Sequence, residues 1–149
     1  MSDGWVDGAL VAAPVGRLAT VGEDGHVHLV PICFAVVGDL VVSAVDHKPK
    51  RSTDLQRLRD IRATGRATLL VDHYEDDWTQ LWWIRIAGEA LVHEPGVSVD
   101  LAARHALGAK YRQYAATPPA GAVYSVGLER VTAWRSSAPA EPGRGDRAG

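Results

Sequence analysis

Val41-Val42-Ser43-Ala44-Val45-Asp46-His47-Lys48-Pro49-Lys50-Arg51 begins as a strand and ends in a dense cationic turn. Val41, Val42 and Val45 are β-branched and suit a half-buried pleat. Lys48, Lys50 and Arg51 then crowd around Pro49. Pro49 fixes its own φ and pushes Lys48 towards an extended conformation. The turn is therefore stiff, and its cations lose less entropy on capturing an anion. Thr53 followed by Gln56 matches a capping box, the signature of a helix start. Strand, basic turn and helix N-terminus together make a phosphate site. A solvated basic turn that merely ends a strand has the same composition.

Upstream of this stretch the chain reads as hairpins. Residues 17–21 form a first strand, and Gly22-Glu23-Asp24-Gly25 is a turn closed by Asp-Gly. His26 to Val36 is a second strand, apolar on both faces, with Pro31 in its middle. Proline donates nothing to a ladder, so this strand has an open edge or a bulge there. Gly38-Asp39 turns the chain into the third strand, Leu40 to Asp46. Downstream, residues 52–62 read as a helix with Leu55, Leu58 and Ile61 on its apolar stripe and Gly65 as its stop. Residues 66–74 give a fourth strand with Ala67, Leu69 and Val71 on one face. Leu81 to Val92 is the longest strand pattern. A second helix spans about residues 97–114, with Val97, Leu101, Leu107, Tyr111 and Tyr114 at its apolar positions. Gly121 to Trp134 is the last strand. The Gly- and Ala-rich residues 1–15 read either as a short helix or as a loosely packed edge. Residues 136–149 lack an apolar pattern and are expected to be a disordered tail. Six strands and two helices, with hairpins dominating, predict a mainly β fold: a six-stranded antiparallel split β-barrel over residues 16–135.

The composition is that of an ordinary soluble domain: 149 residues, 46% hydrophobic, 23% charged, formal charge −2. The basic charge is local. Residues 48–66 hold seven cations against Asp54 and Asp60, a local charge of +5. A small anionic partner suits that segment better than nucleic acid, which needs a wider basic face. Cys33 is the only cysteine, so no disulfide can form within the chain and a reducing cytoplasm is expected. No apolar run approaches a membrane span, and no signal peptide is read.

Side chains able to carry catalysis themselves are scarce. Cys33 alternates with apolar neighbours and reads as a small core residue rather than a nucleophile. His26 and His28 form an H-x-H pair on one strand face, but nothing completes a metal site. Glu75, Asp76 and Asp77 look like a solvated loop. The second informative stretch is Leu81-Trp82-Trp83-Ile84-Arg85-Ile86-Ala87-Gly88-Glu89. Alternation puts Leu81, Trp83, Arg85, Ala87 and Glu89 on one face and Trp82, Ile84 and Ile86 on the other. A tryptophan beside an arginine can stack on a flat heteroaromatic ring. Equally, Trp83 could fill a core or an interface while Arg85 pairs with Glu89.

Taken together these stretches resemble the pyridoxamine 5′-phosphate oxidase-like superfamily, the flavin-binding split barrels, and most closely its actinobacterial branch assigned to the deazaflavin coenzyme F420. The resemblance rests on residues 17–21, Asp24-Gly25, residues 28–32, Asp46 to Arg51, Val71-Asp72-His73-Tyr74 and Trp82-Trp83-Ile84-Arg85. It implies a homodimer with two cofactor sites at its interface. It implies that Lys48, Lys50 and Arg51, with His47, hold the cofactor phosphate. The ring would lie along Val30, Pro31, Ile32, Cys33, Ser43 and Ala44, with Trp83 and Arg85 contributed across the dimer. The implied activity is an F420-dependent oxidoreductase passing a hydride to a small electron-poor acceptor. An FMN-dependent enzyme of the same fold, or a non-catalytic cofactor-binding protein, are the alternatives. Trp82-Trp83-Ile84-Arg85 stands where the flavin oxidases carry Arg-Gln-Val-Arg, and no histidine follows Trp134-Arg135. The chain thus departs from the enzyme that oxidises vitamin B6. No catalytic acid is named by the resemblance.

Overall fold

The computed structural model describes residues 4–46 and 52–137, without the side chains of residues 52–55. The described residues form α1 (Gly4–Ala12), β1 (Gly16–Val21), β2 (Val27–Ile32), β3 (Ala35–Val37), β4 (Leu40–Ala44), α2 (Ser52–Thr64), β5 (Arg66–His73), β6 (Trp82–His93), α3 (Ser98–Lys110), α4 (Arg112–Ala116), β7 (Val123–Gly127) and β8 (Arg130–Arg135). Neighbouring strands run in the order β2-β1-β5-β6-β7-β4-β3, with β8 also on β6. Every pairing is antiparallel. The mainly β split barrel expected from the hairpins is the observed fold.

The strand count differs: among the described residues eight strands stand where six were expected, and four α-helices where two were. The second expected strand breaks at Cys33-Phe34 because its backbone leaves the ladder for a side chain. The Phe34 N–H donates to the Tyr111 hydroxyl at 3.0 Å. The last expected strand breaks at Leu128-Glu129. There Leu128 N–H turns to the Asp39 carbonyl, and the Glu129 carboxylate accepts the Glu89 N–H at 3.0 Å.

Strand β6 explains both the length of its sequence pattern and the split in the barrel. Its first part, residues 82–87, pairs with β8, and its last part, residues 90–93, pairs with β7. One strand therefore serves two sheets, and it changes partner at Gly88. A Cβ built there would lie 2.1 Å from the Gly127 carbonyl oxygen. Only glycine permits that approach.

Alternation assigns the faces as expected. Ala67, Leu69, Val71, Ile84 and Ile86 point into the main core, where Val6 and Leu10 of α1 and Leu58 and Ile61 of α2 join them. Helix α2 ends as predicted at Gly65, which has φ +71 and donates its N–H to Ile61. The apolar face expected of the second helix differs from the observed one. Leu101 is 58% exposed and Val97 also faces out, while Ala103 and Leu107 pack on Val42, Ala44 and Val123. The face is set by Asp100, buried at 3% exposure because Arg104 binds it at 3.0 Å. Arg104 also donates to the Pro119 and Gly121 carbonyls at 2.7 and 2.8 Å, fixing the entry to β7. The single helix expected over 97–114 is broken at Tyr111, whose ψ of 115 is extended.

Candidate functional site

Both open edges of the barrel come from one segment. β2 ends the strand order on one side and β3 on the other, and only Cys33-Phe34 separates them. The edge position of β2 is what Pro31 requires. Within this segment Val30 is half-buried, Pro31 exposed, Ile32 buried and Cys33 half-buried. Next to it, β4 places Ser43 and Ala44, both buried. The Ser43 hydroxyl donates to the Cys33 carbonyl at 2.7 Å, so the two strand groups expected to flank a ring are tied together. His47, Lys48, Lys50 and Arg51 lie outside the described residues.

Three residues that the sequence reading did not assign to a site complete this region. Tyr111, in the α3–α4 break, accepts the Phe34 N–H, and its hydroxyl lies 3.0 Å from both the Phe34 and Pro14 carbonyl oxygens. Burial pushes its pKa up to about 12, so it is a neutral donor at ordinary pH. Tyr114 packs edge-on against Tyr111, with ring centres 5.6 Å apart. Burial, with Cys33 and Asp46 nearby, raises its pKa as well. Lys110 rests its ammonium 3.9 Å from the centre of the Phe34 ring. Their only signal was the apolar spacing that placed the tyrosines on a helix.

The basic segment is not one cationic face. Arg57 is 8% exposed, with its guanidinium donating to the Tyr124 hydroxyl at 3.2 Å. Tyr124 is the register partner of Ser43, so Arg57 stands behind the site as a packing cation. Arg59 bonds Gln56, and Arg66 approaches Glu129.

Trp83 and Arg85 stand where alternation put them, on the outer face of β6. The Arg85 guanidinium lies over the Trp83 ring at 5.2 Å from its centre. The same face carries Val27 and Leu29, which are 68% and 65% exposed. Cross-strand register puts Leu29 beside Ala19, Thr68 and Ala87, and Pro31 beside Arg17, Leu70, Arg85 and Thr132. Trp83 and Arg85 do not meet Ser43 within one chain. Val92, not Arg85, neighbours Tyr124 and through it Ser43. Arg85 and Val92 are seven positions apart along the strand, roughly 20 Å at strand rise.

The remaining candidates resolve simply. His26 is held in the β1–β2 turn by Asp24, at 2.8 Å, rather than on a strand face with His28; the pairing raises the imidazole pKa and lowers that of the carboxyl. Asp77 accepts the Thr79 N–H at the start of a short 3₁₀ turn, and Glu75 bonds His73. Arg135 lies over Trp5 of α1, beside an open cavity of about 780 Å³ that Trp82 and Gln80 also line. No described helix is long and apolar enough to cross a membrane.

A family model described as pyridoxamine 5′-phosphate oxidase matches residues 6–135. No curated protein matches the chain. Among solved structures, the chain is similar to a FAD-binding protein from Mesorhizobium loti, at 19% identity and TM-score 0.68, covering 89% of this chain and 92% of that one. It is similar to HutZ, the heme storage protein from Vibrio cholerae, at 9% identity and TM-score 0.70, covering 89% and 93%. It is also similar to the FAD-binding protein from Mycobacterium smegmatis, at 20% identity and TM-score 0.58, covering 91% and 97%. At such identities the likeness speaks to the fold.

Proposed function

We propose that this chain, which belongs to the pyridoxamine 5′-phosphate oxidase family, is a homodimeric oxidoreductase that holds coenzyme F420 between its subunits and reduces a small electron-poor acceptor. The observation that carries the reading is the juxtaposition of the two open edges, β2 and β3, with Ser43 bonded to Cys33 between them. Unpaired main-chain groups on such edges suit the polar rim of a flat ring, so the residues present fit a flavin-like group. The missing glutamine and histidine of the vitamin B6 oxidase, together with the Trp-Trp-Ile-Arg strand, favour the deazaflavin over FMN.

When bound, the coenzyme supplies a hydride from its ring; the protein's part is binding and positioning. Lys48, Lys50 and Arg51, following β4, hold the phosphate as charged anchors. Ser43 keeps the Cys33 carbonyl fixed, which holds the ring-flanking backbone in place. Tyr111 seals the strand break by occupying the Phe34 backbone. Lys50→Glu should therefore weaken coenzyme binding by roughly 1–3 kcal/mol, the loss of one charge-assisted hydrogen bond. Isothermal titration checks this, and an unchanged Kd would remove the basic turn from the site.

The distance between Arg85 and Ser43 supports the dimeric reading. A second copy seated on the outer face of β2 and β6 covers Val27 and Leu29 and brings Trp83 and Arg85 of the partner subunit towards the first subunit's site. Leu29→Asp puts a charge into that face and should shift the protein to a monomer in light scattering. For a monomeric protein the same change, at so exposed a position, would alter neither mass nor stability.

A further inference from the structure

An open cavity of about 780 Å³ lies between α1, the start of β6 and the end of β8. Trp5, Trp82 and Arg135 line it, with Gln80 and Ser136. Trp82 packs, like Trp5, against the main core, on the face of β6 opposite Trp83 and Arg85. The two indoles meet edge to face, with ring centres 6.1 Å apart and planes at 66°. His73 stacks on Trp82, 6.3 Å away and 21° from parallel. Ring contacts from α1 and β5 thus hold the Trp82 indole in place before any ligand arrives, which lowers the entropy lost on binding. The Ser136 N–H donates to the Leu81 carbonyl at 3.0 Å and ties the end of β8 to the cavity wall. The cavity is remote from the candidate cofactor site of the same chain. Trp82 stands ten positions along β6 from Val92, whose partner Tyr124 neighbours Ser43, roughly 33 Å of strand.

The charge of the lining fixes the sign of the ligand. Among the described residues no aspartate or glutamate lines the cavity. The Arg135 guanidinium lies over the Trp5 ring, 5.2 Å from its centre. Among the described residues its side chain makes no ion pair and no hydrogen bond. A guanidinium seated over a ring gives its face to the π system and keeps its N–H edge for an acceptor. That edge matches a carboxylate, which accepts two parallel bonds from it. The indole walls match a flat ring, by stacking or by edge-to-face contact. The volume is that of a small-molecule site and suits a ligand of one or two rings. We propose that this cavity is a second binding site, for aromatic carboxylates, with Arg135 on the carboxylate and Trp5 and Trp82 on the ring. The binding is non-covalent, and it does not depend on which cofactor the protein holds.

The full-length protein is titrated with naphthoate and followed by the indole N–H signals of its tryptophans in proton–nitrogen NMR spectra. Trp5→Phe and Trp82→Phe assign the two signals. These should move together and saturate, while the signal of Trp83, on the other face of β6, stays in place. Naphthylmethanol, the same ring system without the charge, should bind about tenfold more weakly. Arg135→Gln should bring naphthoate down to the affinity of the alcohol and leave the alcohol unchanged. The two ligands on the unaltered protein decide the matter even if that variant folds poorly. Equal affinity of acid and alcohol, movement of the Trp83 signal in place of those of Trp5 and Trp82, or no saturable binding of naphthoate overturns the inference.

Discussion

Gly88→Ala should cost the protein more than about 3 kcal/mol and leave little folded barrel at ambient temperature. The added Cβ would stand 2.1 Å from the Gly127 carbonyl oxygen and 2.9 Å from its carbon. Both are main-chain atoms, so no rotamer change relieves the overlap. Relief requires β6 and β7 to separate at the point where β6 passes from one sheet to the other. That seam also holds the Glu89 N–H bond to Glu129. Urea unfolding followed by tryptophan fluorescence measures the loss. Gly8→Ala is the matched control, since a Cβ there meets nothing within 4 Å. That residue lies in α1, and alanine there should stabilise by about 0.5–1 kcal/mol. Equal behaviour of the two variants would mean that the strand crossing tolerates a side chain.

Arg104→Met should destabilise by about 3–5 kcal/mol, because it strands a buried carboxylate rather than merely removing a contact. Asp100 is 3% exposed and, among the described residues, retains only the Gly96 N–H when the guanidinium is gone. The Pro119 and Gly121 carbonyls lose their donor at the same time. These lead into β7, whose partner β4 carries Ser43, so the damage reaches the candidate site through the sheet. Making Asp100→Asn together with Arg104→Met should recover part of the loss by removing the charge. The difference between the single and double variants in a denaturant titration measures the buried charge itself. A single variant within about 1 kcal/mol of the parent protein would show that water reaches Asp100.

The sequence disclosed whatever depended on local chemistry. Period-two alternation sorted Trp83 and Arg85 from Ile84 and Ile86, and Pro31 announced an edge strand, which is where β2 lies. Gly65 marked the end of α2. What stayed hidden depends on partners far away in the chain. The break at Phe34 exists because Tyr111, 77 residues on, takes over its backbone hydrogen bonds. The division of the last strand depends on Glu129 meeting Glu89, 40 residues back. The orientation of α3 was misread because Leu101 is the more hydrophobic residue, yet the buried Asp100–Arg104 pair decides which side faces in. Around the candidate site, Ser43 bonds the Cys33 carbonyl, whereas the contact of Lys110, Tyr111 and Tyr114 with the strand break depends on the placing of α3, which the apolar spacing of the tyrosines alone did not show.

The proposed function turns on whether F420 or FMN binds between the two open edges. The deciding measurement is a fluorescence titration of the apo protein with F420 and, in parallel, with FMN. Saturable binding of F420 at one site per subunit, markedly tighter than FMN, is the expected result. Preference for FMN would contradict the deazaflavin assignment while keeping a flavin enzyme, and binding of neither would contradict the proposed function while leaving the split barrel in place.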